Sequence, residues 1–255
     1  MKHCALKPLL FILFACSVWS SSLQATGEIS PMTHQTIVKK MPPSAPNLLI
    51  VLGSPDLNAS LSREMGAFYQ DLWRQKFPDG TVTLRDLAKE PPLFIGQETI
   101  AAFSKENLPL SPEAQKFNAQ SAAYIAELKA ADYILFALPM HNFTVSTLAK
   151  AYFDLIARAG DTFSYGPQGP KGLLTDKKVT VIASAGGATF GTAMDHLTPY
   201  VRDFLSFLGM ETVSFIHLRG TAMSGLRPQS ITAAQEKIQA LFSSPPAARP
   251  QDCQE

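Results

Sequence analysis

Asn47-Leu-Leu-Ile-Val-Leu-Gly53 is an unbroken apolar run too short to be a helix of its own. A strand with that pattern has both faces covered, which points to a parallel sheet sandwiched between helices. Tyr133-Ile-Leu-Phe-Ala-Leu138 and Lys178-Val-Thr-Val-Ile-Ala-Ser184 repeat it, and Gly80 to Asp86 and Glu211 to His217 complete five predicted strands. The intervening segments carry helical periodicity. Leu61, Met65, Phe68, Tyr69, Leu72 and Trp73 mark one amphipathic face. Ser111-Pro112-Glu113 opens another helix with a capping hydroxyl, a first-turn proline and an acid near the positive end of the dipole. Its inward face is Ala114, Phe117, Tyr124, Ile125 and Leu128. Helices over 146–159, 195–208 and 231–242 follow, and 90–110 reads as a long connection with one helical turn. Strands alternating with helices give an α/β domain with helices on both sheet faces.

This domain occupies residues 47–242 of the 255-residue chain. A composition of 46% hydrophobic and 17% charged residues supports a packed core. The net charge of +1 gives no basis for nucleic-acid binding, which calls for a basic stripe. Residues 1–46 read as an extension that ends in the proline-spaced linker Met41 to Pro46, and 243–255 as a disordered tail. The start has two readings. Lys2, Lys7 and the apolar run Leu9 to Trp19 fit an export signal, with Cys16 in a loose lipoprotein-like box. Alternatively, translation begins at Met32 or Met41, and the protein is cytoplasmic. Cys4, Cys16 and Cys253 all lie in these ends, so the domain carries no disulfide framework or zinc spacing.

In sheets of this kind ligands bind beyond the carboxyl ends of the strands. Three loops there have unusual composition. Gly53 to Ser62, with Ser54, Ser60, Leu61 and Ser62, brings hydroxyls and helix-start amides together and suits a phosphate; the alternative is an ordinary capping serine. It has neither a Walker lysine nor a GxGxxG pattern. Pro139 to Val145, with Met140, His141, Asn142 and Phe143, suits a flat heterocycle; the alternative is a tight left-handed turn at Asn142. Ser184, Ala185, Gly186 and Gly187 let backbone approach a ligand closely, or form a plain turn.

Pro139-Met-His-Asn-Phe-Thr-Val-Ser-Thr-Leu-Ala-Lys-Ala-Tyr-Phe-Asp, with Ala157-Arg-Ala-Gly-Asp-Thr-Phe163, resembles the signature of the FMN-dependent NADH:quinone oxidoreductases, or azoreductases. The likeness runs from Asn47 to Phe242, through Lys171 to Leu174 and Thr198-Pro-Tyr200. It implies a flavodoxin-like, doubly wound sheet of strand order 2-1-3-4-5 and a homodimer with FMN near the subunit interface. It assigns Ser54, Ser60, Leu61 and Ser62 to the phosphate, and Met140, His141, Asn142 and Phe143 to the ribityl chain and ring. Ser184, Ala185, Gly186 and Gly187 fall at the pyrimidine side, and Phe163 lines the pocket over the flavin. NADH or NADPH would deliver hydride to the flavin and leave, and a quinone or azo compound would then take its place, in a ping-pong cycle. The flavin performs the chemistry, so no acid, base, nucleophile or metal is assigned. The rival implications are an electron carrier, or an exported flavin-binding protein without NADH turnover. His141 stands where the family usually has tyrosine, and Ala185 where some members have arginine. His34, His196 and His217 have no metal spacing and read as incidental.

Overall fold

A computed structural model describes residues 45–97, 99–103 and 109–243. The expectations for the leader-like start and the last residues of the tail lie outside the described residues, as do all three cysteines.

Five long parallel strands form the centre: β1 (Asn47–Leu52), β2 (Thr81–Asp86), β3 (Tyr133–His141), β7 (Lys178–Ser184) and β8 (Thr212–Leu218). They stand in the order β2-β1-β3-β7-β8, the flavodoxin-like order expected for the long strands. Three short strands, β4 (Thr144–Val145), β5 (Phe163–Gly166) and β6 (Gly169–Gly172), intervene in the chain.

The alternation of strand side chains sorts the helices. Leu48, Ile50, Leu135, Ile182 and Ile216 face α1 (Leu61–Lys76) and α5 (Arg227–Ser243), which supply Met65, Tyr69, Trp73, Ala234 and Ile238. Leu49, Val51, Ile134, Phe136, Val179 and Val181 face α2 (Pro112–Ala130), α3 (Thr147–Ile156) and α4 (Leu197–Phe207). A fully buried side chain of this size contributes about 1.5–3 kcal/mol. The period-two pattern therefore fixes the register, because a one-residue slip would turn each apolar set to the wrong layer.

The sequence reading errs at element ends and at the short strands. α3 stops at Ile156, not Ala159, because the Thr162 hydroxyl donates to the Ile156 carbonyl at 2.6 Å and closes the helix. α4 starts at Leu197 and not Asp195, because the Asp195 carboxylate accepts from the Thr198 amide at 3.0 Å and caps from outside. α5 starts four residues earlier than expected, at Arg227, with Pro228 in its first turn. β3 runs on to His141, since a two-residue turn folds the chain straight back as β4. The connection after β2 contains the expected turn, a 3-10 segment at Ile100–Phe103.

The sequence gives no sign of the β5–β6 hairpin, because its strands are short, mostly exposed and lack apolar alternation. It is fastened by close backbone contact. A Cβ built at Gly172 falls 2.1 Å from the Gly209 amide nitrogen, and Gly209 itself has φ of +96°. Gly172→Ala is expected to cost about 1–3 kcal/mol, the usual range for overpacking. Urea denaturation measures this loss; an unchanged midpoint would contradict it.

Candidate functional site

β1, β3 and β7 are neighbours, so the loops leaving their carboxyl ends emerge side by side. The chain turns one way after β1, toward β2, and the other way after β3, toward β7, which is where open α/β sheets carry ligands.

The loop after β1 is held from below. The Gly53 amide donates to the Ala137 carbonyl at 2.9 Å. The buried Ser146 hydroxyl donates to the Gly53 carbonyl at 2.6 Å, and its oxygen caps α3 by accepting from the Ala149 amide. The Arg63 guanidinium donates to the Ser54 carbonyl at 2.7 and 3.1 Å and to both Asp86 carboxylate oxygens at 2.9 and 2.5 Å. Arg63 is thus a brace for the loop, already committed. Its hydrogen bonds hold the Asp86 carboxyl below the usual range. Asp56 folds the outer part of the loop by accepting from the amides of Asn58 and Ala59, which holds its own carboxyl low.

Ser60 caps α1, accepting from the Arg63 amide at 3.4 Å, and its hydroxyl lies 3.1 Å from that of the fully buried Ser62. The first helical backbone bond is Glu64 to Ser60. The amides of Leu61 and Ser62 precede it, as donors at the positive end of α1. Ser60 is thus a cap, and a capped helix start of this kind is one that can take an anion.

After β3, Asn142 and Phe143 have φ of +47° and +74° and join His141 to Thr144 in a tight hairpin. A left-handed conformation costs a non-glycine residue about 1–2 kcal/mol. The turn holds it where the Phe143 ring stands exposed and its carbonyl accepts from the His196 amide at 3.1 Å. Backbone strain of this kind collects at ligand sites. Met140 and His141 lie in strand rather than loop, His141 being exposed.

After β7, the Ala185 amide donates to the Leu218 carbonyl, and the carbonyls of Ala185, Gly186 and Gly187 accept from the amides of Thr221, Ala222 and Gly220. The exits of β7 and β8 are zipped together, which leaves the amides of Gly186 and Gly187 on the exposed side. Neither glycine has a positive φ. A Cβ would meet Ala222 Cβ at 3.5 Å from position 186 and Thr189 Oγ1 at 3.4 Å from 187, both ordinary contacts. Nothing among the described residues requires glycine here, so the bare backbone suits a molecule laid against it. Exposed Leu57, Phe143, Met194 and Met223, from four loops at this end, supply apolar surface beside it.

Phe163 is not among these residues. It is buried against Phe207, ring centroids 4.5 Å apart, at the last residue of α4. α4 starts beside Phe143 and spans about 16 Å at the usual helical rise. Phe163 therefore sits at the amino end of the sheet. An open groove of about 590 Å³ between β6 and α4 lies at that end too. Among the described residues no His, Cys, Asp or Glu group is placed to hold a metal ion, and no helix is long and apolar enough to cross a membrane.

The braces Arg63, Asp86 and Ser146 escaped the sequence reading. Arg63 and Asp86 are 23 residues apart, and only the β1–β2 register brings them together. A largely buried pair of this kind costs about 3–5 kcal/mol when one partner is removed. Because the Asp86 carboxyl titrates below its unfolded value near 4, its contribution is complete above that pH and is lost as pH falls through the lowered value. Asp86→Asn should lose stability at pH 7 and flatten the acid limb of a stability–pH curve below about pH 4. Parallel curves for the two proteins would contradict the brace.

A model of the flavodoxin-like fold matches residues 46–242. The FMN-dependent NADH:quinone oxidoreductase of Escherichia coli O139:H28 is 39% identical over 201 residues, 79% of this chain and 98% of the relative. That of Shigella boydii serotype 4 gives the same figures. The azoreductase from Bacillus anthracis strain Sterne superposes with a TM-score of 0.71 at 25% identity, covering 77% of this chain and 98% of the other. A FMN-dependent NADH-azoreductase from the Ames Ancestor strain, solved with FMN, has a TM-score of 0.69 at 22% identity, over 77% of this chain and 99% of its own, and supports the fold. Matched over nearly its whole folded length, the chain belongs to the family of FMN-dependent NADH:quinone oxidoreductases and azoreductases, oxidoreductase enzymes of flavodoxin-like fold.

Proposed function

We propose that the three strand-end loops hold FMN and that the enzyme passes two electrons from NADH or NADPH to quinones and azo compounds by a ping-pong cycle. The observation that carries this reading is the glycine pair, which the fold does not need, beside a helix start carrying two hydroxyls and uncommitted amides. The residues fit the group. Ser54, Ser60, Leu61 and Ser62 offer donors and a dipole to a phosphate, Arg63 being spent on the loop itself and Arg227 lining the same cavity as Ser60. Met140, His141, Asn142 and Phe143 supply a rigid polar and aromatic edge for the ribityl chain and ring. Ser184 and the amides of Gly186 and Gly187 face the pyrimidine side; Ala185 contributes shape, its amide being engaged by Leu218.

The flavin, when bound, supplies the hydride chemistry. The protein's part is to place donors where negative charge develops and to keep water away. The two glycine amides would be the donors for the pyrimidine edge. Exposed apolar side chains from neighbouring loops form the floor on which nicotinamide and acceptor lie in turn.

Phe163 enters this reading only through a second copy of the chain. Within one chain it lies at the far end of the sheet, so a homodimer is what would bring it over a flavin.

Gly187→Ala separates a cofactor role from a structural one. The apoprotein should keep its stability to within about 0.5 kcal/mol, since Gly→Ala at a permitted backbone conformation is neutral or stabilising. FMN affinity should fall about tenfold, as expected when one good contact, about 1.4 kcal/mol, is lost. Equal affinity would remove the glycine argument. For the cycle itself, NADH added anaerobically should bleach the FMN-loaded protein in a single turnover, and double-reciprocal plots at several acceptor concentrations should be parallel. Failure of NADH to bleach would favour an electron carrier or a binding protein, and intersecting lines a ternary complex.

A further inference from the structure

The segment from Gly186 to His196 links two edges of the candidate site. It begins at the glycine pair and ends at the His196 amide bonded to the Phe143 carbonyl. Along this stretch one side chain is buried, Phe190, which is 1% exposed. Phe190 is therefore the one side chain of the loop that enters the core. That anchor is covered by His217, the sixth residue of β8, whose ring lies almost parallel to Phe190 with centroids 4.4 Å apart and planes 18° apart. The other side of the arrangement is fixed by a hydrogen bond of 3.0 Å between His217 Nε2 and the Thr198 hydroxyl in the first turn of α4. Asp195 completes it, accepting from the Thr198 amide at 3.0 Å and the Gly191 amide at 3.1 Å.

We infer that His217 is a positioning residue for the flavin: through Phe190 and Thr198 it holds the 186–196 loop in the form that presents Gly186 and Gly187 and braces Phe143. This rests on the FMN reading above and adds a residue outside the contact set, one that reads as incidental in the sequence.

The clamp depends on protonation. A neutral imidazole stacks on a buried aromatic ring at little cost, whereas an imidazolium at the same half-buried place loses hydration. The charged groups that reach it are Asp195 before α4, Arg202 on α4, Arg219 after β8 and Lys237 on α5. Burial lowers the pKa of His217; Asp195 opposes that, and Arg219, Lys237 and Arg202 add to it. The sign follows: the folded value is below the unfolded one, so the clamp is complete above about pH 6.5 and weakens as pH falls through the lowered value. FMN affinity should fall with it.

The test is fluorescence titration of FMN onto the apoprotein of wild type, His217→Phe and His217→Ala at pH 7.5 and pH 5. The FMN phosphate has its own pH dependence, common to all three, so ratios isolate the imidazole. At pH 7.5 His217→Phe should match wild type within about threefold, because it keeps the stack, and His217→Ala should bind about tenfold more weakly, a usual size for coupling through a packed contact. At pH 5 wild type should become about tenfold weaker than His217→Phe. As a check that needs no variant, the His217 imidazole resonance should titrate at lower pH with FMN bound than without, since the coupling is reciprocal. Constant ratios at both pH values, or a His217 titration unmoved by FMN, would overturn the clamp alone. A wild type that takes up no FMN at pH 7.5 would overturn the FMN reading and the clamp with it.

Discussion

The buried bond from the Ser146 hydroxyl to the Gly53 carbonyl, 2.6 Å long, joins the exits of two neighbouring strands. Parallel strands deliver their loops to one end of a sheet, but they do not fix how those loops stand to each other. Here one oxygen does so, because it also caps α3 and so ties the β1 loop to a helix start. Arg63 does the same from the other side, linking the Ser54 carbonyl to Asp86 at the end of β2. The arginine in the first turn of α1 is thus spent on shape. What stands beside it is hydroxyls, amides and a helix dipole, with Arg227 lining the same cavity.

The same economy governs the third loop. Its exit is zipped to that of β8 by backbone bonds, and its far end hangs on Phe190. The end at the glycine pair is tied by backbone bonds, while the reach toward Phe143 has one buried side chain, Phe190, and is otherwise held by Asp195 and the His196 amide. The proposed function would use both qualities: donors along the ring edge, and room beside the ring for substrates.

The layered core was legible because its cause is local. An apolar run such as Leu48 to Leu52 has few other places to go, and Ser111-Pro112 fixes a helix start wherever it occurs. The three loops were legible because their residue types, serines, an Asn-Phe turn and paired glycines, do not suit a core. What the sequence concealed is what depends on register and crossing. Arg63 meets Asp86 only once β2 lies beside β1, and His217 meets Phe190 and Thr198 only once β8 lies beside β7. The β5–β6 hairpin was hidden for a different reason: backbone contact between Gly172 and Gly209 leaves no hydrophobic pattern to read. Phe163 was assigned to the pocket by likeness, yet one chain places it at the opposite end of the sheet.

The central claim is that the strand-end loops form a cradle for a phosphorylated flavin, and the phosphate provides the most direct check. Calorimetric titration of the apoprotein with FMN and with riboflavin compares two ligands that differ at that one group. The account predicts one FMN per chain and binding at least about a hundredfold tighter than riboflavin, the equivalent of two or so charge-assisted hydrogen bonds. Equal affinity for the two, or no uptake of either, would contradict it.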